Sequence, residues 1–145
     1  MEWIDRLRGK TVGLDTAPLI YFIEEHPAYL ETVTLFFEAM ERGDFSVVTS
    51  TVTLLEVLVH PLRANNKALA EEYRDILLNS KLIMTEISTT IAEHASMLRA
   101  LHNIRTPDAL QISTAINAGA VCFFTNDIRL PKIPALQTLA LDSIR

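Results

Sequence analysis

Short apolar runs alternate along this chain with longer stretches in which apolar residues return every three or four positions. Residues 11–14 form one such run, ending in Asp15-Thr16, and Pro18 then opens a helix through Ile23. Leu30, Val33, Thr34, Phe37 and Met40/Glu41 predict a helix over 27–42, which Gly43 stops. Residues 45–49 are β-branched and short, a second strand. Ser50-Thr51 caps a helix running to Val59, and Pro61 is expected to force its end near His60. Leu69, Tyr73, Ile76 and Leu77 share a stripe that predicts a helix over 65–79. A strand follows at 82–87, and Ser88 or Thr89 then caps a helix through Asn103. Thr106-Pro107 opens another, reaching Ala118 before Gly119. Residues 121–124 are a very apolar strand. Asn126-Asp127 starts a short turn or helix before Pro131, and 136–141 supplies a last strand.

Strands alternating with helices imply an α/β fold with a mostly parallel sheet covered on both faces and right-handed crossovers. Repeats, low-complexity tracts and linkers are absent, so one domain over residues 1–145 is expected. With 49% apolar and 21% charged residues, a continuous core forms and disorder is disfavoured. The single Cys122 lies in an apolar run and reads as a buried structural thiol, which fits a reducing cytoplasm. The start MEWIDRLRGK has no apolar segment or cleavage site of a secretory signal, and no stretch is long enough to span a bilayer. A net charge of −5 argues weakly against nucleic-acid binding. Setting four carboxylates against bound cations brings that balance to about −1, so charge alone decides nothing.

Ligands of open parallel sheets bind at the carboxyl ends of the strands. Asp15 follows the first strand directly, and Asp127 follows the strand 121–124 after two polar residues. Asp108 falls in the first turn of a helix and Glu56 within one, so four distant acids are expected to converge at one sheet edge. Each has a plainer explanation as well. Asp108 complements a helix dipole, Asp127 suits a turn, and Asp15 can cap the helix after it. Glu56 shares a helix face with Val52, Leu55 and Val59, in a segment apolar nearly all round. If that face is buried, its carboxylate needs an arginine or a metal as partner. Mg²⁺ and Mn²⁺ prefer carboxylate oxygens and support phosphodiester hydrolysis. Thr16, Ser50, Thr125 and Asn126 stand beside the acids, where they hold waters and ligands or act simply as caps and turn residues. Arg99, Arg105 and Arg129 lie near the same edge, and Arg105, three before Asp108, either touches a substrate phosphate or, as is commoner, is simply solvated.

Other chemistries find little support. Glu56 and His60 share i, i+4 spacing at a helix end, while His26, His94 and His102 show no ligand spacing. Phosphate-cradling glycine loops, zincin motifs and nucleophile elbows are missing.

The motifs 12–21 (VGLDTAPLIY), 50–57 (STVTLLEV), 105–111 (RTPDALQ) and 124–127 (FTND) occur in an order that resembles the PIN-domain ribonucleases, in particular the VapC-like toxins of toxin–antitoxin pairs. The resemblance implies a three-layer α/β/α sandwich with about five strands. It implies a metal-dependent endoribonuclease using Mg²⁺ or Mn²⁺, with Asp15, Glu56, Asp108 and Asp127 as the acidic cluster and Thr125 assisting. Asp15 and Asp108 would touch the metal most directly, and Glu56 partly through water. It further implies a homodimer, an RNA substrate and a silencing antitoxin. Ala17-Pro18 departs from relatives that carry a polar residue there, which excludes a ligand role for Ala17. Two other readings remain. A phosphoacceptor receiver domain would want paired acids after the first strand and a lysine after the last, but Asp15 has no acidic neighbour and Lys132 precedes the last strand. A catalytically silent binding module would use the same fold for contacts alone.

Overall fold

The computed structural model describes residues 1–144; Arg145, the last residue of the expected domain, lies outside the described residues. The apolar runs pair as β1 (Thr11–Leu14), β2 (Ser46–Ser50), β3 (Ile83–Thr85), β4 (Cys122–Thr125) and β5 (Gln137–Ala140). Among the described residues these five strands pair only in parallel, in the order β3-β2-β1-β4-β5. A receiver domain follows the order β2-β1-β3-β4-β5, so the strand order removes that reading.

The connecting helices are α1 (Glu2–Asp5), α2 (Thr16–Ile23), α3 (Leu30–Arg42), α4 (Thr51–Arg63), α5 (Lys67–Leu78), α6 (Thr89–Leu101) and α7 (Thr106–Asn117). Side-chain alternation in the strands divides them into two layers. Val12, Leu14, Cys122 and Phe124 join a core with Leu19 of α2, Phe36 of α3 and Tyr73 of α5. Phe123 points the other way, into a smaller core with Leu98 of α6 and Ile112 and Ala115 of α7. The result is the three-layer sandwich expected. Gly13 is what lets α7 lie so close to the sheet: a Cβ there would stand 2.5 Å from the Ala115 Cβ. Burial pushes the Cys122 thiol up to about 11, in keeping with an inert structural cysteine. Among the described residues no helix is long and apolar enough to cross a membrane.

Several boundaries differ from expectation for local reasons. Helix α2 opens at Thr16 rather than Pro18, because the Asp15 side chain accepts from the Thr16 amide at 2.8 Å and caps it. Pro18 then sits in the first turn, where its missing N–H has no helical partner to lose. Helix α3 begins at Leu30 rather than Pro27. The His26 ring accepts from the Ala28 amide at 3.1 Å and holds the intervening residues as a turn. Helix α4 runs through Pro61 instead of ending before it. The ring is buried, and the amides of Ala64, Asn65 and Asn66 continue the ladder to His60, Leu62 and Pro61 at 3.0, 3.3 and 2.8 Å. Helix α1 was not expected; it forms because Ile4 and Leu7 fold back into the larger core.

Candidate active site

Successive strands step from β1 to β2 and β3, and the chain then returns to the far side of β1 to place β4. The winding reverses between β1 and β4, and such a reversal opens a crevice at the strands' carboxyl ends. The Asp15 amide donates to the Phe124 carbonyl at 2.9 Å, so the ends of both strands are level there. Asp15, Glu56, Asp108 and Asp127 all line one cavity of about 470 Å³ at this edge, together with Thr16, Arg105, Asn126 and Arg129. The expected convergence of the four acids on one edge is therefore what the fold produces.

The deepest acid is the most firmly held. Thr125, fully buried at the end of β4, donates its hydroxyl to Asp15 Oδ2 at 2.7 Å and accepts from the Asp127 amide at 3.0 Å. One threonine thus ties β1's acid to the loop that carries Asp127. Burial raises the Asp15 carboxyl above its ordinary range. The hydrogen bonds from Thr125 and the Thr16 amide oppose this, and the negative charges of Asp108 and Glu56 add to it.

Behind Asp15 runs a buried hydroxyl chain whose direction follows from counting protons. Thr49 donates to the Leu14 carbonyl at 3.0 Å, so in its 2.8 Å bond with Thr53 it must accept. Thr53 in turn accepts from Gln111 Nε2, and Gln111 Oε1 accepts from the Ser50 hydroxyl at 2.6 Å. Ser50 also caps α4 by accepting from the Val52 amide, so it supports the site from behind the cavity rather than lining it. Gln111 Nε2 reaches Thr16 Oγ1 at 3.3 Å, and Thr16 donates to Glu56 Oε1 at 2.6 Å. This chain links β1, β2, α2, α4 and α7.

The outer acids are held by near neighbours. Arg105 Nε pairs with Asp108 Oδ2 at 3.2 Å, and Arg129 Nε with Asp127 Oδ1 at 3.1 Å. Burial works to raise the Asp127 carboxyl, but the side-chain and backbone hydrogen bonds from Arg129 and the charges of Arg129 and Arg105 outweigh it and hold the group low. Arg99, expected near the cluster, instead braces the loop before α7 by donating to the Ile104 carbonyl and Thr106. Among the described residues no group of three or more His, Cys, Asp or Glu side chains stands ready to hold a metal ion.

Glu56 is corrected in one respect. Its face of α4 is not buried: Leu55 is 67% exposed, Val59 40%, and Glu56 itself lies open at the cavity rim. The buried face carries Thr53, Val57 and Pro61. A stranded buried charge therefore does not explain Glu56; its place beside Asp15 does. Sequence reading missed Gln111, Thr53 and Thr49 as supports. For Gln111 and Thr53 the signal was spacing, since Gln111 stands three residues after Asp108 and Thr53 three before Glu56, one helical turn from each acid; Thr49, in a strand, carried none. Asn126 lines the cavity, donates to the Tyr21 and Tyr29 hydroxyls, and keeps its Oδ1 buried without a partner among the described residues.

A family model described as PIN domain matches residues 12–136. No curated protein matches the chain. The fold is similar to VapBC2 from Rickettsia felis bound to a DNA fragment from its promoter, at 23% identity and TM-score 0.72, covering 90% of this chain and 98% of that one. It is similar also to a toxin–antitoxin complex from Klebsiella pneumoniae, at 22% identity and TM-score 0.66, covering 87% and 94%. A third similar structure is VapC20 of Mycobacterium tuberculosis, a sarcin–ricin loop cleaving toxin, at 16% identity and TM-score 0.64, covering 78% and 86%.

Proposed function

The chain belongs to the PIN-domain family, and from that premise we propose that it is a Mg²⁺- or Mn²⁺-dependent endoribonuclease, the toxin of a toxin–antitoxin pair, acting in the cytoplasm as one nuclease domain over residues 1–145. The observation that carries this reading is the meeting of Asp15, Glu56, Asp108 and Asp127 in one cavity at the sheet's reversal point. The fold shared with toxin–antitoxin complexes supports an antitoxin partner. An exposed stripe of Leu55, Val59 and Leu62 along α4 supports a homodimer.

The donor chemistry suits a hard divalent cation once the rim acids turn toward Asp15. It offers carboxylate oxygens, and burial, with the charges of Asp108 and Glu56 adding to it, raises the Asp15 carboxyl, a cost of ionisation that a cation relieves. Asp15, Asp108 and Asp127 would hold the ion, with Glu56 acting partly through water. A bound ion of this kind supplies an activated water and neutralises charge on the leaving oxygen of a phosphodiester.

The chain's own residues do the rest. Thr125 and the Thr16 amide hold the two oxygens of Asp15 in place. Thr16 orients Glu56, and the Gln111 chain fixes Thr16 from behind. Arg105 and Arg129 line the same cavity, where their side chains can turn from the acids to substrate phosphate. The test is cleavage of RNA by purified protein with Mn²⁺, with and without chelator. Asp15→Asn and Asp108→Asn should abolish it while the fold persists; equal cleavage by wild type and both variants would sink the proposal.

A further inference from the structure

The cavity has two halves of unlike chemistry. One holds the acids and the two arginines. The other is apolar: Ala17, Ile20 and Tyr21, from one side of α2, and Ile128 from the loop after β4. Ile128 is 78% exposed, the most open large apolar side chain among the described residues. Its loop is not slack. The Asp127 amide is tied to Thr125 at 3.0 Å and the Arg129 amide to Asp127 Oδ1 at 2.9 Å, so the turn presents Ile128 in a fixed place beside the acids. Tyr21 is braced as well. Its ring stacks on Tyr29 at 4.7 Å and 11°, His26 packs at 4.8 Å against both, and Asn126 donates to both hydroxyls.

We propose that this half is a base-binding shelf, on which an unpaired nucleobase next to the scissile phosphate packs against Ile128 and Tyr21. The inference rests on the endoribonuclease reading and adds the place on this chain where the base beside the scissile phosphate sits. The two halves match a nucleotide part for part, with apolar surface for the base and cationic and metal-binding groups for the phosphate. That pairing is what favours RNA over an apolar peptide side chain as occupant. A shelf of this kind receives the face of a base rather than its hydrogen-bonding edge, so it tolerates all four bases. Preorganisation by the Tyr29, His26 and Asn126 contacts lowers the ordering cost of binding.

The experiment uses the full chain, Mn²⁺ and a single-stranded RNA whose cut site has been mapped, alongside the same RNA with an abasic ribose next to that site. Removing the base should lower kcat/KM of the wild type about tenfold. Ile128→Ala should lower it about tenfold on intact RNA and add no further loss on the abasic RNA, while leaving Mn²⁺ affinity unchanged by calorimetry. Equal losses for Ile128→Ala on both RNAs, or a changed Mn²⁺ affinity, would show Ile128 acting through Asp127 and overturn the shelf. Ile128→Ala cleaving like wild type would also overturn it and give the face to a protein partner. Cleavage that ignores the missing base sinks the shelf alone; failure to cleave any RNA sinks the nuclease reading and the shelf with it.

Discussion

The inner wall of the cavity and its outer rim hold carboxylates in opposite ways. At the inner wall, Asp15 is gripped by a fully buried threonine and backed by a hydroxyl chain that runs through Gln111, 3% exposed, to two strands. At the rim, Asp108 and Asp127 are paired with arginines only three and two residues away, both on exposed side chains, and Glu56 is held by one hydroxyl. Exposed ion pairs of this sort contribute little, on the order of 0–1 kcal/mol, and exchange readily. The fold therefore fixes Asp15, holds Asp127 in its turn through Thr125 and the Arg129 amide, and leaves the ion pairs of the rim adjustable. Asp15 would be the preplaced ligand of a divalent ion, and Asp108 and Asp127 would be free to turn to it once released by Arg105 and Arg129.

The largest expected effect lies on the fixed side. Asp15→Asn should reduce RNA cleavage by about 10³-fold, since it removes the one preplaced oxygen pair. The same change should stabilise the protein at neutral pH. The folded-state value of Asp15 is raised, so its stability contribution is present below the ordinary carboxylate range and lost as pH rises through the folded value. A neutral asparagine escapes that loss. Thermal melts at pH 7 should show the variant melting higher than wild type, and Mg²⁺ should raise only the wild type. A variant that melts lower would mean that Thr125's hydrogen bond outweighs burial and repulsion.

Next comes the support behind it. Gln111→Leu leaves the Ser50 hydroxyl without its acceptor and Thr53 without its donor, at a cost of about 1–3 kcal/mol by chemical denaturation. Cleavage should fall with it, by about tenfold or more, through loss of position at Thr16. If stability falls but activity per folded molecule does not, the chain is structural only. On the adjustable side, Glu56→Gln should cost about tenfold in kcat with little change in stability, as suits an exposed group. The smallest effect is Arg105→Ala. It should weaken RNA binding severalfold and reduce the slope of log affinity against log salt by about one. A larger loss than that of Asp15→Asn would reverse the ranking of wall and rim.

How much of this was legible beforehand depends on the kind of signal. The strands at 11–14 and 121–124 could be read because each motif is local, an apolar run and then a polar break, whereas the four acids were singled out by the order of four motifs along the chain. Glu56 lines the cavity, as the expected convergence has it, but not on a buried helix face. An apolar stretch was taken as a buried helix, yet Leu55, Val59 and Leu62 face outward, and a periodicity cannot say which stripe meets the sheet. Pro61 misled in the same way, since its usual helix-breaking effect is offset by burial of its ring. Gln111, Thr53 and Thr49 look like ordinary polar helix and strand residues until three elements bring them together.

The amino-acid order alone determined the alternation of strands and helices and the α/β class, because those depend on spacing within a single element, and it offered four candidate acids through the order of their motifs. Only the tertiary structure decided that β1 and β4 lie side by side. That pairing brings residues 110 apart in sequence, Asp15 and Thr125, into one hydrogen bond and makes a wall of one acid and a rim of the others. Pairing across such a distance is set by packing on both faces of the sheet, down to Gly13 under Ala115, and no local pattern carries that information.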